Sequence, residues 1–290
     1  MSLREAVGSR WLEIHVSEAL REDLGRAGDI TCEATVPETI IGQADLVAKQ
    51  VGVLAGADWA ILTGERTEPP VNWEFVVEDG TRLKPGQVVA HVRGPLWGIL
   101  ISERTAINGL ARLSGIAGMT NAAVKAVRGT RARVLDTRKT TPGWRVAEKY
   151  AVRIGGGANH RVGLYDEILI KENHIEAAGG IGNAMERALE WRRKRALELN
   201  VPIEIEVKSL EELKEALVFS PERILLDNFS LEDLKLAVKT AGERCELEAS
   251  GGITLQNIAD VAASGVRRIS LGALTHSAPP LDLSLLVKHV

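Results

Sequence analysis

The spacing of apolar and polar positions changes character along the chain, and each change predicts a different kind of element. Over residues 9–24, Trp11, Ile14, Val16, Ala19 and Leu20 alternate with Arg10, Glu13, Glu18, Arg21 and Glu22. That is the stripe of an amphipathic helix, which Gly25 ends before an Asp29-Ile-Thr31 turn. From Gly42 to Val92 the pattern shortens to strands at 43–49, 51–55, 73–77 and 88–92. Glu78-Asp-Gly80 and Lys84-Pro-Gly86 supply the turns between them. This predicts a small, half-wound β layer with an apolar helix from Trp59 to Thr63 packed on it. Ser102 is placed to cap a long helix running towards Val127. Gly109, Gly115 and Gly118 weaken that helix but permit close packing against another helix or a dimer mate.

From Arg131 onward strands and helices alternate. Strands are predicted at 133–135, 168–170, 203–207, 223–226, 246–249 and 267–271. Ser209-Leu-Glu-Glu212 and Ser230-Leu-Glu-Asp233 read as helix starts, a capping hydroxyl followed three positions on by an acid. Thr254 is placed to cap a helix over 255–264 that Gly265 closes. A longer helix is predicted over 183–199, with Arg192-Arg-Lys-Arg195 as a solvated face. A βα spacing of roughly 20 to 30 residues is that of a parallel α/β barrel.

Composition narrows the function. The chain has 290 residues, 45% of them hydrophobic and 26% charged, with a net charge of −3. That balance suits a soluble protein and gives no reason to expect nucleic acid as partner. Cys32 and Cys245 lie far apart without metal-ligand spacing, so no disulfide framework is expected, and Cys245 reads as buried in an apolar run. No stretch approaches the ~20 apolar residues of a membrane span. Arg4, Glu5, Arg10 and Glu13 interrupt any signal core, so a cytoplasmic protein is expected.

The positive charge is local. Arg138-Lys139 follow one strand and Lys171 follows the next, with Arg145, Lys149, Arg153, His160 and Arg161 between them beside the Gly155-Gly-Gly157 run. Cations on a helix are usually a solvated face, so Arg145, Lys149 and Arg153 are expected at the surface; Arg104 and Arg112 read equally as surface or site. Arg138, Lys139 and Lys171 sit past strand ends, where chemistry collects in parallel α/β folds. The other strands end in Glu206, in Asp227-Asn228, in Ser250-Gly-Gly252 and in Gly272. The last two supply backbone-rich loops suited to a phosphate. Glu206 and Asp227 are placed to hold Mg²⁺ through oxygen; Glu206 also reads as an ion-pair partner of Lys171 or Lys208. A Schiff-base aldolase using Lys171 stays open, but the excess of arginines favours binding of an acidic, phosphorylated substrate.

The motifs Glu22-Asp-Leu-Gly25, Gly28-Asp-Ile-Thr31, Glu103-Arg-Thr-Ala-Ile-Asn108, Asp136-Thr-Arg-Lys-Thr-Thr-Pro-Gly143, Glu148-Lys-Tyr150, Gly155-Gly-Gly-Ala-Asn-His-Arg161, Lys171-Glu-Asn-His174, Leu226-Asp-Asn-Phe229 and Glu248-Ala-Ser-Gly-Gly-Ile253 together resemble the quinolinate phosphoribosyltransferase family over nearly the whole chain. The resemblance implies an α/β fold: an N-terminal α/β sandwich over residues 1–113, then an incomplete, seven-stranded barrel of the type II phosphoribosyltransferases over 114–290. The tail from about 274 is expected to pack back on the N-terminal domain, and the seventh strand falls near 153–155. The implied reaction joins quinolinate to phosphoribosyl pyrophosphate, with Mg²⁺, giving nicotinate mononucleotide, pyrophosphate and CO₂ for NAD biosynthesis. By motif, Arg104, Arg138, His160, Arg161 and Lys171 are implied to hold the quinolinate carboxylates, beside Thr137. Lys139 lies towards the pyrophosphate donor, and Glu206 and Asp227 engage the ribose hydroxyls and metal. Ser250, Gly251, Gly252, Leu271, Gly272 and Ala273 are implied to cradle the 5′-phosphate, with His276 nearby. A homodimer is implied, with Arg104 reaching the neighbouring site, and further assembly to a hexamer is left open. Two alternatives remain: a paralogue taking another pyridine acid, and a non-enzymatic phosphosugar sensor.

Overall fold

A computed structural model describes residues 1–195 and 201–289. The chain forms two compact units. The first comprises residues 1–121, 141–156 and 277–290; the second comprises 122–140 and 157–276. In chain order the elements begin with α1 (Leu3–Val7), α2 (Ser9–Leu24), α3 (Ile30–Thr35), β1 (Ile41–Ala48), β2 (Gly52–Val53), α4 (Ala57–Arg66), β3 (Asn72–Phe75), β4 (Arg82–Leu83), β5 (Val88–Pro95) and α5 (Leu96–Ala126). They continue with β6 (Arg133–Leu135), α6 (Arg145–Ile154), β7 (Ile168–Ile170), α7 (Glu172–Ala178), α8 (Ile181–Arg195), β8 (Ile203–Val207), α9 (Leu210–Leu217) and β9 (Arg223–Asp227). The last are α10 (Leu231–Ala241), β10 (Glu246–Ser250), α11 (Ile258–Ala263), β11 (Arg268–Ser270), α12 (Ala273–His276) and β12 (Leu283–His289).

In the first unit, β12-β1-β5-β3 form an antiparallel sheet, and β2 pairs with β4. Ala44, Leu46, Val89, Ala90 and Val92 from the sheet bury against Ile99, Ile107 and Leu110 of α5. α5 begins six residues before Ser102, which is not its cap: Ser102 is buried inside the helix, where its hydroxyl donates to the Ile99 carbonyl at 3.0 Å. A Cβ on Gly109 would lie 2.3 Å from Trp59 Nε1, so that glycine lets α4's tryptophan seat against the helix. Lys149, expected at the surface, is 3% exposed. It shares an α6 turn with Glu148, which is fully buried because it pairs with Arg112 at 2.6 Å. Cys32 is buried and Cys245 only half-buried.

In the second unit six parallel strands run in the order β6-β11-β10-β9-β8-β7. Residues 153–155 are not the seventh strand. They lie at the end of α6, and the added pairing is a single parallel bridge between Leu135 and Ala158. The triple glycine explains the shift: Gly155 closes the helix, Gly156 turns at φ +91°, and extended backbone resumes only after them. Ser209 and Ser230 cap α9 and α10 as expected, accepting from the amides of Glu212 and Asp233. Thr254 does not cap α11. Its own amide donates to Asn257 Oδ1 at 2.8 Å, and the helix starts after that turn. The predicted helix over 183–199 runs from Ile181 to Arg195, and its last four residues lie outside the described residues. Within the basic patch Arg192 is committed to Glu222 at 2.6 Å.

Candidate active site

Charged residues in the strands of the second unit fall at their N-terminal ends (Arg133, Arg223, Glu246), at one inner depth and at their C-terminal ends. β8 reads Ile-Glu-Ile-Glu-Val, and period-two geometry puts Glu204 and Glu206 on the same face, one layer apart. The same spacing relates Leu225 to Asp227, Glu248 to Ser250 and Arg268 to Ser270. Register then aligns the rows. Glu206 stands beside Leu225, Ser250 beside Asp227, and Glu248 beside Arg268.

The outer layer opens into a cavity of about 560 Å³. Thr137, Arg138, Lys139, His160, Arg161, Lys171, Glu206, Asp227, Ser250, Gly251 and Gly252 line it, so the residues expected from five strand ends do converge. Leu169, Leu225, Asn228 and Ser270 complete the wall. Leu271, Gly272, Ala273 and His276 are not in that lining. Leu271 is buried, its amide donating to Leu135 O at 2.9 Å. Gly272 lies against Lys139 and His276, where a Cβ would approach 3.0 and 3.2 Å. Arg104 belongs to the first unit, with its side chain 63% exposed. There it lines a cavity of about 350 Å³ with Glu22, Trp59, Asn108, Arg112 and Trp144.

Local hydrogen bonds fix the cationic wall. Fully buried Asp136 accepts from the His160 amide at 2.9 Å and from Asn159 Nδ2 at 2.5 Å, which orients the 159–161 turn. Thr137 Oγ1 accepts from the Lys139 amide at 3.0 Å, and Thr275 Oγ1 donates to the Lys139 carbonyl at 2.7 Å. Arg161 is 8% exposed and donates to the Glu167 carbonyl at 3.2 Å, yet its Nε has no hydrogen-bond partner among the described residues. Burial, and next the charge of Arg138, hold its pKa below the ordinary guanidinium value. A buried guanidinium crowded by another is costly unless an anion joins it. Lys171 Nζ donates to Glu206 Oε2 at 2.6 Å. An amine tied to a carboxylate is a poor Schiff-base nucleophile, which argues against the aldolase alternative.

Beneath the cavity lies a layer that sequence reasoning missed. His160 Nε2 stands 3.3 Å from both Glu204 Oε2 and Glu248 Oε1, and Arg268 Nε donates to Glu248 Oε2 at 2.7 Å. Burial pulls the imidazole pKa down, but the two carboxylates more than offset it and lift it to about 9. The Arg161 amide points at His160 Nδ1 at 2.7 Å, which favours the neutral ring. One backbone hydrogen bond contributes about 1 kcal/mol, less than the ionised Glu248 carboxylate at 3.3 Å contributes, so the upward direction stands. Burial raises Glu204, while His160 and Arg268 hold Glu248 low. The signal was in the sequence: a glutamate two places before each strand-end polar residue in β8 and β10.

Two family models match the chain: quinolinate phosphoribosyl transferase, N-terminal domain, over residues 29–114, and its C-terminal domain over 116–286. The chain belongs to the quinolinate phosphoribosyl transferase family. It is 44% identical over 275 residues to a nicotinate-nucleotide pyrophosphorylase [carboxylating] of Mycobacterium leprae, covering 93% of this chain and 95% of that one. A chloroplastic relative of the same name from Arabidopsis thaliana is 41% identical, covering 94% and 82%. Among solved structures, the nicotinate-nucleotide pyrophosphorylase of Francisella tularensis superposes with a TM-score of 0.90 at 37% identity, covering 99% of both chains. NadC from Streptococcus pyogenes gives 0.89 at 36% identity, covering 96% and 97%. Among the described residues no helix is long and apolar enough to cross a membrane.

Proposed function

We propose that the chain transfers the phosphoribosyl group of phosphoribosyl pyrophosphate to quinolinate with decarboxylation, giving nicotinate mononucleotide, pyrophosphate and CO₂. The observation that carries this reading is the pair of guanidiniums, Arg138 and Arg161, lining one cavity with His160 and Lys171. Quinolinate carries two adjacent carboxylates, and planar guanidinium forks match them. A single-carboxylate acid such as nicotinate offers those two guanidiniums only one carboxylate to share. A phosphosugar sensor has no use for Glu206 and Asp227 beside a phosphate donor.

Arg138, Arg161 and Lys171 hold the acid so that its ring nitrogen faces C1′ of the ribose, while His160, whose two ring nitrogens both face protein groups, fixes the Arg161 turn from beneath. As the C1′–O bond to pyrophosphate breaks, positive charge develops on the ribose, and Glu206 and Asp227 stabilise it. The N1–C1′ bond forms and the ring becomes a pyridinium. The C2 carboxylate then leaves as CO₂, its electron pair held at C2 by the pyridinium until a proton from water replaces it. No protein base is needed; positioning is the protein's main contribution. Lys139 faces the departing pyrophosphate. Ser250, Gly251 and Gly252 take the 5′-phosphate, with Gly272 beside Lys139.

Mg²⁺ is the proposed metal. Glu206 and Asp227 lie at the ends of adjacent strands, each with one oxygen already engaged, by Lys171 and by Asn228. That donor set fits an ion brought largely by the diphosphate rather than caged by protein; when bound, it neutralises charge on the leaving group. A homodimer is proposed in which Arg104 completes the neighbouring site. The cytoplasm is proposed as the compartment, although the Arabidopsis relative's name carries another.

The test is an assay for nicotinate mononucleotide with phosphoribosyl pyrophosphate and Mg²⁺, offering quinolinate or nicotinate as acceptor. Product from quinolinate with CO₂ release is expected. Product from nicotinate alone would overturn the reading of the cationic wall.

A further inference from the structure

We propose that Asn228 is a positioning residue: its side-chain amide holds the Asp227 carboxylate at the cavity wall and ties it to the glycine loop after β10. The inference rests on the assignment of Asp227 to the reacting ribose and deepens it.

Neighbouring residues on a strand point to opposite faces, so Asn228 would ordinarily turn its side chain away from Asp227. It does not, because its backbone is left-handed at φ +57°. Among the described residues only Ser220 shares a positive φ without being glycine. The turn brings Asn228 Nδ2 within 2.9 Å of Asp227 Oδ2. A carboxylate only accepts, so the group facing it is the amide's NH₂. The Asn228 amide N–H donates to the Ser250 carbonyl at 2.9 Å, pinning the end of β9 to the end of β10. On the far side, Gly251 is shaped around the same residue. A Cβ there would lie 2.2 Å from Asn228 Oδ1 and 2.9 Å from its backbone nitrogen. One face of the Asn228 amide thus sets the carboxylate, and the other rests on the loop proposed to hold the phosphate.

These contacts have a chemical use. Glu206 is already oriented, through Lys171. Among the described residues no cation is hydrogen-bonded to Asp227, and an aspartate at a strand end swings between rotamers. Charge stabilisation works only when the carboxylate is in place before charge develops. The Asn228 amide supplies that orientation without neutralising Asp227, which a lysine would do. It also links the ribose contact to the phosphate loop, so that both ends of the sugar phosphate are gripped in one register.

Asparagine also favours left-handed backbone, so a turn-former alone would account for its presence. Asn228→Gly separates the two roles, because glycine adopts φ +57° without cost but has no amide to offer. The expected result is an unchanged Tm, kcat lowered about tenfold, and a quinolinate KM within about twofold, the low end of what a hydrogen bond to a charged group contributes at an exposed position. Asn228→Asp keeps the shape but sets a second carboxylate against Asp227, and a larger loss of kcat is expected. In an Asp227→Ala background, Asn228→Gly should lower kcat no further. Wild-type kcat in Asn228→Gly would reduce the residue to a turn-former and overturn the proposal. So would an equal fractional loss with and without Asp227. Wild-type turnover in Asp227→Ala itself would be a different failure, that of the assignment of Asp227 to the ribose.

Discussion

Arg138 carries a sharp expectation. If it pairs with a quinolinate carboxylate, Arg138→Ala should raise the quinolinate KM far more than that of phosphoribosyl pyrophosphate, by about tenfold to a hundredfold for a lost bidentate contact; steady-state kinetics with each substrate varied in turn checks it, and equal rises would remove the role. His160 carries one about pH. Its folded pKa, about 9, stands above the ordinary 6.5. Its contribution to stability is therefore complete below pH 6.5 and is lost as pH rises through 9, a span on the order of 3 kcal/mol. Thermal unfolding should show Tm falling between pH 6.5 and 9, and His160→Gln should flatten that slope. The strand-end residues of this site were legible because charge past a β-branched run has few structural uses. Glu204 and Glu248 were not singled out, because their partners, His160 and Arg268, come from distant parts of the sequence. Lys149 misled for the same reason: helix spacing says nothing of which turn a neighbour such as Arg112 will bury.

At the scale of elements, capping chemistry was the most readable signal where a serine stood three places before an acid, as at Ser209 and Ser230. It failed at Ser102 and Thr254. There a hydroxyl's local alternatives, a bond back into its own helix or an asparagine-built turn, outweighed the cap. The long α5 shows what its glycines are for. Gly109→Ala would drive a methyl group into Trp59, whose Nε1 already donates to the Thr105 carbonyl at 2.8 Å. We expect a loss of roughly 1–3 kcal/mol, read as a lowered midpoint in urea unfolding, while glycine-to-alanine exchange at open Gly118, where the nearest atom is 3.9 Å away, should stabilise the helix. The seventh strand expected near 153–155 does not form there, and only a single bridge at Ala158 adds to the six strands, because periodicity cannot say where a run of three glycines will stop a helix.

The whole chain is less simply divided than its sequence suggests. Residues 141–156 and 277–290 belong to the first compact unit although they follow stretches of the second; the return of the tail was expected from the family resemblance, but no local pattern announces that of 141–156, which depends on packing between segments far apart in sequence. Arg104 lies in that first unit, exposed, on a helix otherwise well buried. If two copies share each site, inactive Arg104→Ala subunits mixed with inactive Lys171→Ala subunits should recover part of the activity; proven mixed dimers that stay inactive would refute sharing. The pairing of β12 with β1 carries a consequence for how the protein is made. β1 is synthesised early, yet one of its two edges is covered only by residues 283–289, which are made long after it. Until then the nascent sheet presents an unpaired strand edge, the template on which chains join one another. Translation speed and chaperone supply, rather than the final stability of the folded protein, should therefore govern how much of it is recovered intact from a cell, and a chain shortened at Ser277 should accumulate as aggregate even though every residue of the catalytic cavity is present.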